Sequence, residues 1–243
     1  MDFNLRESPA PYGWGYNTSR FIPKKSGKID SKNIKNLKLK WAFGFPYSQR
    51  ARSQPLFAMG SIFVGSQSGD IYALDIETGC VKWNFSASAE VHTGIIMDEW
   101  REGEKPNKRP YIYFGDILAN EYALDAQTGE LIWKIKTDDH PNATRTATSA
   151  IFENILLVPI SGLEVIAAFD DKYECCTLRG GLLALDANTG KILWKKYSIP
   201  VPAKYSGKTS VGTRMFGPSG APIWTSPNVD KKRRYVYIGT GEN

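Results

Sequence analysis

The 243-residue chain has few of the residues from which several common kinds of active site are built. Its two histidines, His92 and His140, are too few and too far apart in the sequence for a metal cluster or a catalytic triad. The sequence contains no P-loop, no dinucleotide-binding glycine fingerprint, no His-Glu-x-x-His and no haem-attaching Cys-x-x-Cys-His. We therefore expect both histidines to be ordinary loop or strand residues.

Long apolar runs are absent as well. None approaches the roughly 18 residues of a membrane span, and the first 20 residues carry Asp2, Glu7 and two prolines instead of the apolar core of a secretory signal. We expect no membrane insertion and no visible signal peptide. The net charge is +6, and the densest basic runs, 24–40 and 231–234, have the composition of solvated connections. Nucleic acid is therefore not an expected partner.

One phrase occurs three times, at residues 73–83, 123–133 and 184–194: Ala-Leu-Asp, two variable residues, Thr-Gly, three variable residues and Trp. An aspartate can bond the backbone of the turn that follows it, and glycine supplies a positive φ, so each copy predicts a strand, a tight turn and a strand. The tryptophans are 50 and 61 residues apart. This spacing is typical of β-propeller blades with loop insertions.

The pattern predicts an all-β chain, with an irregular lead-in over 1–40 and a partial propeller over 41–243. Three complete four-stranded blades are expected between two partial ones, and Trp41 predicts the outer strand of the first partial blade. The main predicted strands are 61–65, 70–73, 81–85, 111–115, 121–124, 155–158, 181–184, 221–224 and 235–239. Because so few blades do not close a ring in the usual way, we expect an incomplete ring and a fragment of a longer chain. A small complete propeller with irregular blades is the alternative.

The repeat resembles that of the quinoprotein family, propellers that bind pyrroloquinoline quinone (PQQ). Narrower matches resemble the polyvinyl-alcohol dehydrogenase branch and cover nearly the whole chain: 14–21, 39–46, 66–73, 173–180 and 216–224. The resemblance implies a PQQ- and Ca²⁺-dependent dehydrogenase that oxidises secondary or polymeric alcohols, passes electrons to cytochrome c and acts in the periplasm. It also implies that the repeat tryptophans are packing residues between blades.

The segment from Ser161 to Glu164 resembles the family phrase Ser-Gly-x-Glu. The resemblance places Ser161 and Gly162 at the cofactor and the Glu164 carboxylate on Ca²⁺, a hard cation that prefers oxygen ligands. A Lewis acid at a quinone carbonyl makes its carbon more electrophilic. The last residues resemble the phrase Gly-x-Gly-Asn with one extra residue, so either Glu242 or Asn243 is implied as a further metal ligand.

Five other positions are implied as cofactor contacts: Thr146, Arg179, Ser219, Gly220 and Trp224. The family places a threonine hydroxyl on a quinone carboxylate at the position of Thr146. It places a tryptophan flat under the quinone at Trp224, after Ser219 and Gly220, where stacking offers a large contact area. Arg179 offers a guanidinium that suits the cofactor's carboxylates. Without the resemblance, these would be an ordinary strand threonine, a blade-packing tryptophan and an exposed loop arginine.

Cys175 and Cys176 are adjacent. Consecutive Cα atoms lie about 3.8 Å apart, below the usual disulfide range, so a vicinal disulfide and two free buried thiols both remain open. Quinoprotein methanol dehydrogenases hold such a disulfide against the cofactor, about one blade earlier, where this chain has residues 91–93. The polyvinyl-alcohol branch has Cys-Cys-x-x-Arg-Gly at this position, which implies that both cysteines line the cofactor site. Cys80 is expected to be an inert core residue.

The family's catalytic aspartate and the arginine that faces the quinone carbonyls come from later blades, and nothing here matches either. Since a general base is required, this chain alone is predicted to be inactive. Asp170 and Asp171 are predicted to lie in a solvated loop. The rival hypothesis is a non-catalytic scaffold like the outer-membrane assembly lipoproteins, which share the repeat but lack the Ser-Gly-x-Glu and Cys-Cys phrases.

Overall fold

The structure is a computed structural model that describes residues 2–10, 14–15 and 19–241. In these residues the helices are single turns, α1 (Lys24–Gly27), α2 (Glu164–Ala167) and a 3₁₀ turn (Ile34–Asn36). No helix in this part of the chain is long and apolar enough to cross a membrane. The strands are β1 Leu56–Ala58, β2 Ser61–Gly65, β3 Asp70–Asp75, β4 Val81–Ser86, β5 Ile96–Met97, β6 Tyr111–Gly115, β7 Asn120–Asp125, β8 Leu131–Lys136, β9 Ala143–Thr144, β10 Ala150–Phe152, β11 Ile155–Gly162, β12 Gly181–Asp186, β13 Ile192–Tyr197, β14 Lys204–Lys208, β15 Arg214–Gly217, β16 Asn228–Asp230 and β17 Tyr235–Tyr237.

The strands form three antiparallel blades in chain order, β1 to β4, β5 to β8 and β10 to β13, and β9 pairs with the end of β11. β14–β15 is a separate hairpin, and β16–β17 begins a fourth blade. The all-β fold with three complete blades is confirmed, and the described residues form no closed ring. The predicted strand over 221–224 is wrong, because the fourth blade's first strand starts at Asn228. The described backbone around Trp41 is likewise not part of a sheet.

The repeated turn is built as its sequence predicts. In the first blade, Asp75 Oδ1 accepts hydrogen bonds from the backbone N–H groups of Glu77 (3.1 Å) and Thr78 (3.0 Å). Gly79 has φ +72° and donates its N–H to the Asp75 carbonyl at 2.8 Å. A glycine is suited here because side chains rarely adopt a positive φ. The same arrangement recurs at Asp125 with Gly129 and at Asp186 with Gly190.

The repeat tryptophans join consecutive blades. The Trp83 ring lies against Gly129 of the next blade, so closely that a Cβ on this glycine would be 2.8 Å from the ring. The Trp83 indole N–H donates to the Ala126 carbonyl in the same turn, at 3.1 Å. Trp83 therefore contacts the turn of the following blade through both packing and a hydrogen bond. The same contacts join Trp41 to Gly79 and Ile76, and Trp133 to Gly190 and Ala187.

The core lies between the blades, because successive side chains of a strand point to opposite faces. In β2, Phe63 packs towards the second blade, whereas Val64 packs beneath the aromatic segment that contains Trp41. In β11, Leu156 packs towards the second blade and Leu157 towards the fourth. Each blade is therefore covered on both faces, which explains the nearly continuous apolar sequence of its middle strands.

Two predictions about individual residues require correction. Trp194 was expected to pack between blades, but it is 39% exposed, because the described residues contain no further Asp-x-x-Thr-Gly turn after it. Cys80 was expected in the core, yet it is exposed. It lies directly after the tight turn of the first repeat, where the chain is at the rim of the blade.

We expect the tryptophan–glycine contact to be a major source of stability. Gly129→Ala adds a methyl group against the Trp83 ring at a positive φ, and should lower the free energy of unfolding by about 2–4 kcal/mol. Gly212→Ala is the matched control, because Gly212 also has a positive φ but has nothing within 4 Å of its Cβ position. It should cost about 1 kcal/mol. If the two variants lose the same free energy of unfolding in urea, crowding against the Trp83 ring is not the cause of the loss.

Candidate functional site

One end of the blades carries nearly all the predicted site residues. In an antiparallel blade, the connection between the second and third strands emerges at the same end as the connection to the next blade. Three such connections meet here: 137–149 after β8, 163–180 between β11 and β12, and 198–227 after β13. Thr146 lies in the first, Glu164 and the cysteine pair in the second, and Ser219 to Trp224 in the third.

The three connections are joined around the end of β11. Ser161 is fully buried, and its hydroxyl donates to the Ile223 carbonyl at 2.6 Å. Ser161 also pairs with Thr144 in the short β9 strand. Gly220 donates its N–H to the Leu178 carbonyl at 2.7 Å. The structure therefore brings Ser161 next to the segments that carry Thr146 and Trp224, which are distant in sequence.

Glu164 is the buried carboxylate of this group, 4% exposed, at the start of α2. Its oxygens accept hydrogen bonds from the backbone N–H groups of Thr177 (2.9 Å) and Leu178 (2.8 Å) and from the Tyr173 hydroxyl (3.0 Å). A carboxylate has about four acceptor positions. The Thr177 N–H also contacts the second oxygen at 3.1 Å, so each oxygen accepts two hydrogen bonds. A cation bound through one oxygen would take the place of this shared contact.

Three residues around Glu164 were missed by the sequence analysis. His140, expected to be an ordinary loop residue, has its Nε2 3.7 Å from Glu164 Oε1 and 2.9 Å from the Thr177 hydroxyl. Asn142 donates to the Tyr173 hydroxyl at 2.7 Å. Burial, together with the bond to Glu164, raises the pKa of Tyr173, so its hydroxyl remains a donor. No local motif marks these residues, because they meet only through the fold.

Cys175 and Cys176 are joined by a disulfide, and the peptide bond between them is cis. The open question about these thiols is therefore answered in favour of the vicinal disulfide. Phe216 in β15 donates its N–H to the Cys175 carbonyl at 2.7 Å and accepts from the Cys176 N–H at 3.3 Å. The disulfide thus ties the second connection to the third. Its sulfurs lie within 4.8 Å of a Glu164 oxygen, but they are not thiolates, so the cluster lacks the ligands of a zinc site.

The Thr146 hydroxyl oxygen is buried, yet it makes no hydrogen bond within the described residues. The same is true of the Thr144 hydroxyl, two residues earlier in this connection. A buried hydroxyl without a partner costs about 1–3 kcal/mol, so such groups are rare unless a ligand supplies the partner.

Trp224 is partly buried and lies close to Gly241, but its ring belongs to none of the apolar clusters between blades in the described structure.

A buried ion pair fixes the backbone beside Thr146. Arg145 and Glu121 are both fully buried, and Arg145 Nε donates to Glu121 Oε2 at 2.9 Å. Arg145 also donates to the Pro159 carbonyl and, at 2.7 Å, to the Ser149 hydroxyl. The repeat alignment contains a signal for this pair, because the positions equivalent to Glu121 in the other blades are apolar, Ile71 and Leu182.

The remaining predicted residues have different surroundings. The Arg179 guanidinium lies 4.0 Å from the centre of the Tyr197 ring on the outer strand β13 and donates to the Ile199 carbonyl at 3.3 Å, so it points away from the group around Ser161.

A Cβ on Gly162 would be 2.5 Å from Leu178, so this glycine allows close packing of the connection. Ser219 and Gly220 lie beside Leu178. Asp170 and Asp171 are exposed, as expected, and Glu242 and Asn243 are outside the described residues.

The sheets and their tryptophan repeat define the chain as a β-propeller protein. A family profile for PQQ proteins, described as the glucose/ethanol/alcohol dehydrogenase β-propeller domain, matches residues 10–243. The chain belongs to this PQQ dehydrogenase family, as the repeat indicated.

The relatives are alcohol dehydrogenases by name. Polyvinylalcohol dehydrogenase of Pseudomonas sp. is 37% identical over 246 residues, which is 100% of this chain and 37% of that protein. The polyvinylalcohol dehydrogenase of Sphingopyxis sp. strain 113P3 is also 37% identical, over 95% of this chain and 35% of its own length. The chain therefore spans about a third of the length of these relatives.

Solved structures share the fold. Quinohemoprotein alcohol dehydrogenase from Comamonas testosteroni superposes with a TM-score of 0.64 at 20% identity, covering 88% of this chain and 32% of that one. ADHIIG from Pseudomonas putida gives 0.69 at 22% identity, over 96% and 35%.

We expect Asp138 to make stability depend on pH. Burial alone would raise its pKa, but hydrogen bonds from Lys195 (2.6 Å) and the His140 N–H hold the pKa of Asp138 below the ordinary 3.8. A lowered folded pKa means that the stabilisation is present above the unfolded value and is lost as the pH falls through the folded value. Between about pH 5 and pH 3, the wild type should therefore lose more stability than Asp138→Asn. Exposed Asp171→Asn is the control, and it should behave as the wild type does in urea unfolding.

Proposed function

We propose that this chain is part of a PQQ- and Ca²⁺-dependent dehydrogenase that oxidises secondary or polymeric alcohols. Membership of the PQQ family supports a quinoprotein dehydrogenase, and the names of the relatives support alcohol as the substrate class. The observation that carries the proposal is the buried, unpartnered hydroxyl of Thr146 at the end of the blades where Ser161, Glu164 and Trp224 also lie.

These residues fit the cofactor in chemical type. PQQ is a flat, acidic ring system, and a buried hydroxyl donor suits one of its carboxylates. The Trp224 ring is not part of the apolar clusters between the described blades, so its face is suited to stacking on a planar ring. Ser161 holds the third connection in place through Ile223, so it positions Trp224. The disulfide between Cys175 and Cys176 gives the neighbouring connection a fixed form.

Glu164 is the residue that would hold Ca²⁺. Carboxylate oxygens are the kind of ligand that Ca²⁺ prefers, and an ion bound to one of them would replace the Thr177 N–H contact that the two oxygens share. Tyr173 and the two backbone N–H groups fix the carboxylate before any ion binds. One bound oxygen is not a complete shell, so the cofactor, Glu242 or Asn243 would supply the others.

The chemistry that PQQ would supply when bound is that of an acceptor for the two electrons and two protons that an alcohol loses when it becomes a carbonyl compound. The described residues orient the ring through Thr146 and Trp224 and exclude water through the packed connections. The alcohol's proton requires a base. Three groups already donate hydrogen bonds to Glu164, so its carboxylate is poorly suited to act as this base. We propose that the base belongs to another part of the protein and that this chain alone is inactive.

We propose cytochrome c as the electron acceptor of the whole protein, in keeping with relatives named as quinohemoproteins and as dehydrogenase subunits. We also propose that the protein acts in the periplasm. The vicinal disulfide supports this proposal, because disulfides persist in oxidising compartments.

Replacing Thr146 should separate cofactor binding from stability. In the full-length protein, Thr146→Val removes a hydroxyl that has no partner without cofactor, so the apoprotein should be as stable or slightly more stable. PQQ affinity, measured by absorbance titration, should fall about tenfold or more, the value of a hydrogen bond to a charged group. The control is Thr137→Val, whose hydroxyl donates to the Ala119 carbonyl at 2.9 Å. It should lower stability and leave PQQ affinity unchanged; the reverse pattern would refute the assignment.

Replacing Glu164 should remove the metal dependence. With PQQ present, Ca²⁺ should raise the melting temperature of the wild type by several degrees, because a ligand bound only to the native state stabilises it. The increase should be absent in Glu164→Gln and retained in Glu174→Gln, whose carboxylate is half exposed. If neither PQQ nor Ca²⁺ stabilises the wild type and a protein partner copurifies instead, the scaffold hypothesis would replace this one.

A further inference from the structure

Four residues occupy the same place in four consecutive blades, near the hub of the propeller. The first strand of each blade is the innermost one, because β10 lies beside both β5 and β16. Counting back four residues from the start of β10 and of β16 gives Thr146 and Trp224, two of the proposed cofactor contacts. The same count from the starts of β1 and β5 gives Arg52 and His92.

The pairing register shows that these four positions are equivalent. In the three complete blades, the first residue of the innermost strand pairs with a residue of the second strand, which pairs in turn with the alanine of the repeat phrase. In the fourth blade, β16 pairs with β17 over three residues, as β1 pairs with β2 and β10 with β11. The chain also bends at the residue after each of the four positions.

The segments that carry these positions lie side by side. Two residues further along the chain, Gln54, Gly94 and Thr148 contact one another. The Gly94 N–H donates to the Thr148 hydroxyl at 2.7 Å, and a Cβ on Gly94 would be 3.1 Å from the Gln54 Cβ. The Ile95 N–H also donates to the Gln54 carbonyl at 3.1 Å. The first three of the four positions are therefore neighbours around the hub.

The side chains at the four positions point out of the blades. The residues directly before them in the second, third and fourth blades are buried inside the structure: Val91, Arg145 and Ile223. The four residues themselves are exposed or only partly buried. Because successive side chains of an extended segment point to opposite sides, Arg52 and His92 face the hub as Thr146 and Trp224 do.

Arg52 has no acceptor for its guanidinium among the described residues. Its hydrogen-bonding contact there is the 3.2 Å approach of Nη1 to His92 Nε2. The same nitrogen lies 2.7 Å from Glu90 Oε1. A carboxylate oxygen only accepts, so Nε2 carries a hydrogen and donates it to Glu90. It then has no lone pair to offer to Arg52.

The charge of Arg52 is not neutralised by this cluster either. Arg50 donates to both oxygens of Glu90, from Nη2 at 2.8 Å and from Nε at 3.2 Å, and this two-point pairing balances the carboxylate. Burial lowers the pKa of His92 although Glu90 lies beside it, so the ring is uncharged at neutral pH. The net positive charge of the four side chains is therefore that of Arg52.

We propose that Arg52 is a cofactor-binding residue and that its guanidinium pairs with a carboxylate of PQQ. A guanidinium binds a planar carboxylate through two parallel hydrogen bonds. The resemblance implied this role for Arg179, but that side chain lies over Tyr197 instead. The inference deepens the proposed function and rests on it, since PQQ is the ligand.

Absorbance titration of the full-length protein with PQQ, at a fixed Ca²⁺ concentration, tests the inference. R52Q should lower PQQ affinity about tenfold or more, the value of a hydrogen bond between charged groups. R52K keeps the charge without the paired geometry, so its affinity should lie between those of R52Q and the wild type. Added salt should weaken PQQ binding more in the wild type than in R52Q.

R179Q is the matched control. It removes an arginine charge at the same end of the blades and should bind PQQ as the wild type does. Thermal unfolding of the apoprotein should be the same in R52Q and the wild type, because Arg52 holds no acceptor in the described structure. If R52Q does not fold, R52K decides, since PQQ affinity equal to that of the wild type would contradict the paired geometry.

Three results would overturn the inference and leave the proposed function in place. The first is unchanged PQQ affinity in R52Q. The second is a less stable R52Q apoprotein with unchanged affinity, which would mean that Arg52 pairs with a carboxylate of the protein itself. The third is a loss of affinity in R179Q alone. If the wild type does not bind PQQ, the proposed function itself fails, and this result is distinct from the other three.

Discussion

The contact between a repeat tryptophan and the glycine of the next blade's turn is the constraint on which the rest of the structure depends. It requires a glycine twice over, for the positive φ and for the space that the indole fills. The indole N–H then bonds a carbonyl of the same turn, so the angle between neighbouring blades is fixed by a directional bond as well as by packing. Since each blade buries its faces against its neighbours, this one contact, repeated, orders the whole array.

The arrangement of the blades also determines where the candidate site lies. The turns that receive the tryptophans are short and nearly identical, and they lie at one end. The three connections of the candidate site lie at the other end, where they bond one another through Ser161, Gly220 and the vicinal disulfide. A rigid scaffold with binding loops at one end is a common plan for functional sites.

Much of the fold follows from local sequence, and much of the site does not. Short apolar runs and the Asp-Thr-Gly turn predict the blades, because both are set by residues close together in the sequence. No strand forms over 221–224, because these residues belong to the connection after β13. The Ile223 carbonyl accepts a hydrogen bond from the Ser161 hydroxyl, and the Ile223 side chain packs beside the third blade. The exposure of Cys80 and Trp194 also depends on which part of the fold packs against each side chain, and the sequence around them does not specify this.

The sequence by itself determined the blade repeat, the turn chemistry and the family, since all of these are properties of neighbouring residues. Only the tertiary structure decided that the Thr146 hydroxyl lacks a partner, that Tyr173 and two backbone N–H groups hold Glu164, and that Arg179 lies over Tyr197. The Glu164 contacts span up to 14 residues within one long connection, and the Arg179 contact joins that connection to β13. Their geometry depends on how the blades stack, and a hydrogen bond is formed or lost over less than an ångström.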